Sequence, residues 1–219
     1  MKSDRIPQNK IRGFASIDYR LSPNPGVPQN PGQTPESELQ LAKHPDHVHD
    51  VMAALNHLKA ELGISDDKYI LIGHSAGATL SFQLLFEEPP TKELPPLPSA
   101  IITTAGIYDM VSLEKGHPGY HDFLEGAFGS SMEDWKRASP ASFTGSYQRL
   151  WPGPRTVLLS WSPEDSLVDE EQVERMAQRL VSEKMRLIVR KDMTGDHDVV
   201  WEEGAQVHDL VATVLAQDL

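Results

Sequence analysis

Cysteine is absent from the 219 residues. Disulfides, thiolate nucleophiles and cysteine-ligated zinc are therefore excluded. Positive charge is scarce, with 20 Lys and Arg against 32 Asp and Glu and a formal charge of −12. Such a surface has no excess of cations to neutralise phosphates, so neither nucleic acid nor an anionic membrane is expected as a partner. No apolar run approaches the roughly 20 residues of a membrane-spanning helix. Met1 to Lys10 is polar and lacks the apolar stretch of a secretory signal, so none is expected. Aromatic residues are few, at 7%, but apolar residues reach 39%, enough for one buried core. The expectation is a soluble, cytoplasmic chain forming a single domain over residues 1–219.

Local patterns divide the chain into short apolar runs and amphipathic stretches. Residues 13–18 read as a strand leading into Tyr19-Arg20-Leu21-Ser22-Pro23, and residues 22–38 as a long Pro- and Gly-rich loop. Val48, Val51, Met52, Leu55, Leu58 and Leu62 fall at helical spacing, which predicts a helix over 46–62 stopped by Gly63. Tyr69 to Ile72 fits a buried strand, Gly73 to Gly77 a tight turn, and Ala78 to Phe86 a helix ended by Pro89-Pro90. Further strands are expected at 99–104, 156–161 and 186–189, with helices at 169–183 and 199–215. Residues 107–154 lack periodicity and read as a cap-like insertion of short helices and loops. Short apolar strands alternating with amphipathic helices mean a mostly parallel α/β sheet covered on both faces.

The most informative element is Gly73-His74-Ser75-Ala76-Gly77, a G-x-S-x-G pattern between an apolar strand and a helix. That setting forces a sharp turn, the glycines keep side chains out of its way, and the serine oxygen stands exposed above the strand ends. Ser75 is the expected nucleophile. The backbone N–H of Ala76, at the helix start, is the expected oxyanion donor. A serine hydroxyl needs a base to take its proton, and elbow enzymes order their residues Ser, acid, His. His197, in the loop after the last strand, is the expected base, ahead of His117 and His121 in the insertion. The acid belongs after a strand lying between them. Asp165 is the first choice, with Glu164 and Asp109 as alternatives. The acid orients the imidazole and stabilises its charged form.

Two other clusters invite a functional reading. His44, His47 and His49 with Asp46 and Asp50 lie close in sequence, but their order matches no metal-binding helix pattern, so no metal is expected. Tyr108, Phe128, Trp161 and Trp201 are candidates for an aromatic-accepting pocket.

Beyond single motifs, Ala15 to Pro23, His44-Pro45-Asp46-His47, the elbow, Gly106-Ile107-Tyr108-Asp109, the segment Trp135 to Pro140 and Gly195-Asp196-His197 together resemble the kynurenine formamidases, fungal arylformamidases of the α/β-hydrolase superfamily. The likeness runs over nearly the whole chain. It implies cleavage of N-formyl-L-kynurenine to L-kynurenine and formate, a step of tryptophan breakdown towards NAD. It also implies that no cofactor is needed and that the protein is a cytosolic homodimer. The same residues also fit a general carboxylesterase of small acyl esters, or a catalytically impaired hydrolase fold kept for binding.

One departure stands out. The family carries a His-Gly-Gly-x-Trp motif upstream of the Tyr-Arg-Leu-Ser-Pro string, and its loop supplies a second oxyanion donor. This sequence holds no Gly-Gly pair. The resemblance thus reads the chain as N-terminally incomplete, with the motif strand missing between the segments matching 13–18 and 69–72. Loss of that donor implies a rate lower by about 10²–10³, and loss of the strand implies unpaired sheet edges.

Overall fold

The computed structural model describes Ile6, residues 10–24 and residues 26–217. Four apolar runs become strands: Ile70–His74 (β1), Ala100–Thr104 (β2), Thr156–Ser160 (β3) and Arg186–Arg190 (β4). They form one sheet in the order β1-β2-β3-β4, and every neighbouring pair is parallel. The register sets Leu71 beside Ile101, Ile101 beside Val157 and Val157 beside Leu187. Successive side chains leave a strand on opposite faces. Ile101, Val157 and Leu159 therefore enter one core, while Ala100, Ile102 and Leu158 enter the other.

Helices close both faces. Asp46–Leu62 (α1) ends where Gly63 takes a left-handed φ of 66° and its N–H reaches the Lys59 carbonyl, a stop that only glycine makes without strain. Its apolar stripe, Val48, Val51, Met52 and Leu55, packs on Leu80 and Leu84 of Ala76–Phe86 (α2). The other side of α2 sends Ala78, Phe82 and Leu85 onto the sheet. The insertion holds Met110–Gly116 (α3), His121–Phe128 (α4), Met132–Ala138 (α5) and Tyr147–Leu150 (α6). Ile107, Met110, Leu113, Leu124 and Trp135 build a separate small core there, closed by Val168 from the loop after β3. Glu170–Ser182 (α7) adds Val173, Met176 and Leu180 to the α2 side. Val199–Glu203 (α8) and Ala205–Leu215 (α9) follow β4, and Leu210, Val211 and Val214 of α9 cover the opposite face. Among the described residues no helix is long and apolar enough to cross a membrane.

Two expectations are corrected. Residues 13–18 are not a strand: no ladder partner pairs with them among the described residues, and most of their side chains are exposed. A strand exists only through its neighbour's hydrogen bonds. Ile17 and Tyr19 instead lean on the α1–α2 core, and β1 is an edge of the described sheet. The helix expected over 199–215 is two helices, broken where Gly204 adopts φ 67°.

Leu158 is fully buried on the central strand β3. Leu158→Ala is expected to lower stability by about 3 kcal/mol, from lost burial and the cavity left behind. Val181→Ala, at a residue 62% exposed, should change it by no more than about 0.5 kcal/mol. Urea unfolding midpoints at constant slope measure both.

Candidate active site

The parallel strands all end on one side, and the loops leaving β1, β3 and β4 meet there. At the end of β1 the chain turns into α2 within a single residue. Ser75 has φ 52° and ψ −119°, a backbone conformation that costs a non-glycine residue energy. Its neighbours hold it in place. Its N–H bonds the Thr104 carbonyl at 3.0 Å, and its carbonyl accepts from Ala78 at 3.0 Å and from Ile107 at 3.4 Å. Gly73 permits the close approach, since a side chain there would run into the Gly77 carbonyl and the Ser81 hydroxyl. Around Gly77 the space is open. The Ala76 N–H lies in the first turn of α2, where backbone donors have no partner inside the helix.

The loops after β3 and β4 are stitched together. Ser162 Oγ donates to the Gly195 carbonyl at 2.6 Å, Gly195 N–H donates to Glu164 at 3.1 Å, and Ser166 donates twice to Asp196 at 2.8 Å. This cross-bracing brings His197 to Asp165. His197 Nδ1 lies 3.0 Å from both carboxylate oxygens, whose side chain is only 1% exposed. Asp165 also accepts the N–H groups of Leu167 and Val168, each at 2.9 Å. A carboxylate held this way is fixed in orientation and compensated for its burial. It favours the His197 tautomer with the proton on Nδ1, leaving Nε2 free to accept.

The alternative acids and bases have other partners. Glu164 braces Gly195, and Asp109 caps α3 through Ser112 and pairs with Arg175 at 3.2 Å. His117 contacts Asp169 at 2.8 Å, and His121 lies near Glu114 and Glu125. The Ser75 hydroxyl makes no hydrogen bond to His197 among the described residues. In substrate-free hydrolases that contact is commonly long and tightens on binding.

A residue that pattern reading passed over joins the two halves. His74, next to Ser75, lies with its Nε2 2.9 Å from the His197 carbonyl and its ring 4.6 Å from the His197 ring. Its only sequence signal was its place inside the elbow. Burial lowers its pKa below 6.5, which keeps a second positive charge away from His197. His74, His197 and Asp198 bring one donor atom each within 4.8 Å of one another, the one such cluster among the described residues. The His44–Asp50 segment forms none, and His47 instead bonds Ser22 at 2.8 Å.

A cavity of about 510 Å³ opens beside the elbow, bordered by Ala76, Thr79, Ile107 and Phe128. Of the four aromatic candidates, Phe128 lines it. Tyr108 does not: it is fully buried, with its hydroxyl 2.6 Å from Thr103 and its ring edge-on to Phe82. Strand-end packing at Gly106, where a side chain would strike Tyr108 and Ala78, draws that ring into the core. Trp161 donates to the Val168 carbonyl at 2.7 Å, and Trp201 is 54% exposed on α8. Neither borders the cavity.

Comparison with known proteins places the fold and the family. The profile of the prolyl oligopeptidase family matches residues 23–216. A kynurenine formamidase-like hydrolase of Fusarium equiseti is 39% identical over 203 residues, covering 89% of this chain and 67% of that protein. A kynurenine formamidase of Aspergillus versicolor is 38% identical over 216 residues, covering 88% and 71%. Among solved structures, an acetyl ester-xyloside bifunctional hydrolase of Caldicellulosiruptor lactoaceticus superposes with a TM-score of 0.59 at 15% identity, over 79% of this chain and 64% of that one. The chain therefore spans about two thirds of the length of these proteins, and at that identity the superposition shows the α/β-hydrolase fold alone.

Burial acts against a charged His197. The hydrogen bond and charge of Asp165, with Asp198 and Asp196 behind it, outweigh burial and raise the ring's pKa above 6.5. A group that holds its proton more tightly when folded stabilises the fold fully below its unfolded pKa, and that contribution is lost as pH rises through the folded value. Imidazole proton shifts followed by NMR should place the His197 midpoint above 6.5, and Asp165→Asn should lower it. In urea unfolding, Asp165→Asn should cost more stability at about pH 5.5, roughly one unit below an ordinary histidine, than at pH values well above the wild-type midpoint.

Proposed function

Because the chain belongs to the prolyl oligopeptidase family of α/β-hydrolases, among relatives named kynurenine formamidases, we propose that it cleaves N-formyl-L-kynurenine to L-kynurenine and formate, with Ser75, His197 and Asp165 as its triad. One observation carries the reading: a buried Asp165–His197 pair stands on loops braced to the turn that presents Ser75.

In this mechanism His197 Nε2 takes the Ser75 proton as Oγ attacks the formyl carbon. Negative charge develops on the formyl oxygen and is met by the Ala76 N–H and the positive end of α2. The intermediate collapses, the C–N bond breaks, and His197 passes its proton to the departing arylamine. Water, deprotonated by His197, then attacks the formyl ester on Ser75. Formate leaves, and the proton returns to Oγ. Asp165 holds the ring and offsets its charge without taking the proton. No step calls for a metal or cofactor. The same proposal includes a small-molecule substrate, a cytosolic location and a homodimer, which sedimentation of the purified chain would read as twice the monomer mass.

A fluorophosphonate probe should label the protein, and Ser75→Ala should abolish labelling while leaving the circular dichroism spectrum unchanged. N-formylkynurenine turnover, followed by formate release, should fall by at least about 10³-fold in Ser75→Ala or His197→Ala. A kcat/KM for p-nitrophenyl acetate well above that for N-formylkynurenine would instead assign a general esterase. A folded protein that never labels would remove the enzyme reading altogether.

A further inference from the structure

The triad leaves one polar pair beside the elbow without a task. Ser22 and His47 both border the 510 Å³ cavity, and Ser22 Oγ lies 2.8 Å from His47 Nε2. The cavity borders two residues that contact Ser75 through the backbone. Ala76 follows Ser75 in sequence, Ile107 donates to the Ser75 carbonyl, and both line the wall.

The pair is set in advance rather than left to solvent. The Arg20 N–H donates to Asp50 at 3.0 Å, and its guanidinium makes contacts of 2.8 to 3.2 Å to the same carboxylate. These bonds fasten the chain entering Ser22 to α1, the helix that carries His47. The Tyr19 ring stands edge-on to His47, with centroids 6.3 Å apart. Burial lowers the His47 pKa from its ordinary value, and His44 adds to the effect, which favours the neutral ring. When Nε2–H of a neutral imidazole donates to Oγ, the serine hydrogen is free to point at an acceptor in the cavity.

Charge narrows what that acceptor is. Among the described residues the lining holds no Lys or Arg, and its one carboxylate is Asp122, which is exposed. An anionic group would meet no cation there. The remaining wall is mainly apolar, with Leu80, Ile107, Met110 and Phe128, which suits a ring. A neutral carbonyl beside a ring satisfies both conditions.

We infer that this cavity is the leaving-group subsite: its apolar wall holds the arylamine ring, and the Ser22 hydroxyl, oriented by His47, donates a hydrogen bond to a carbonyl carried next to the amine. The inference rests on the reaction proposed above and names what that site selects, aryl ketones ahead of plain anilines. Ser22 is a specificity residue, and His47 a positioning residue acting through it.

Binding of two probes to the full chain tests this without turnover. 2-Aminoacetophenone carries the ketone, and 2-ethylaniline has a similar shape without it. Calorimetry of the wild type should show the ketone bound about fivefold to tenfold tighter, the worth of one neutral hydrogen bond. Ser22→Ala should bring that ratio close to one while leaving 2-ethylaniline affinity unchanged, which a misfolded variant would not do. Ser22→Thr, which keeps the hydroxyl, should keep the preference. His47→Ala should weaken it with the Ser22 hydroxyl still present. Equal affinities in the wild type, or an undiminished preference in Ser22→Ala, overturn the inference. A Ser22-dependent preference in a protein that does not turn over N-formylkynurenine would sink the proposed reaction and leave the ketone subsite standing.

Discussion

The site hangs on one strained residue. Ser75 sits at φ 52°, a conformation a side-chain-bearing residue adopts only when its surroundings over-determine it, at a cost of order 1–3 kcal/mol. Its surroundings do so. The β1–β2 ladder continues one residue past the strand to clasp its N–H, and Ala78 and Ile107 hold its carbonyl. Gly73 lets α2 begin hard against the strand. The rigid parallel sheet matters to function mainly because it carries this load.

A second consequence concerns charge. The chain carries a formal −12, and the loop holding His197 includes Asp196 and Asp198 on either side of it. Acidic surroundings favour a protonated imidazole, and so does Asp165. Burial opposes them. The balance leaves an imidazole that binds its proton more firmly than free histidine, which suits the proposed role of holding one proton between attack and departure of the leaving group. Burial lowers the pKa of His74, packed against it at 4.6 Å between ring centroids. That favours a neutral partner ring and lessens repulsion between the two.

The relation to the kynurenine formamidases frames the remaining features. The likeness covers 89% and 88% of this chain in the two relatives. The Tyr19–Pro23 string and the start of α1 lie outside the loops that carry Ser75, Asp165 and His197, and the structure joins the two. Arg20 clamps Asp50, and Ser22 bonds His47, so the string and the helix form one unit on the wall of the cavity. The sheet edge at β1 is open among the described residues.

Much of the architecture could be read from local pattern. Helix α1 with its Gly63 stop, the elbow, and the strands at 70–74, 100–104, 156–160 and 186–190 follow from periodicity and turn chemistry, because each depends on residues near in sequence. Chain order alone pointed to Asp165 and His197, and the structure puts them in contact. What failed was whatever depends on a distant neighbour. Residues 13–18 have the composition of a strand but no partner among the described residues, and a ladder needs two strands. Tyr108 has the chemistry of a pocket residue, yet packing around Gly106 and Phe82 turns it into core. His47 looked like one of a local histidine cluster, and only the meeting of α1 with the Ser22 segment gave it a hydroxyl to hold. Sequence by itself determined the sharp turn at Ser75 and the alternation of strands and helices, since both are short-range. Tertiary structure decided which titratable groups face one another and which aromatics see the cavity, because those contacts join residues that only the folded sheet brings together.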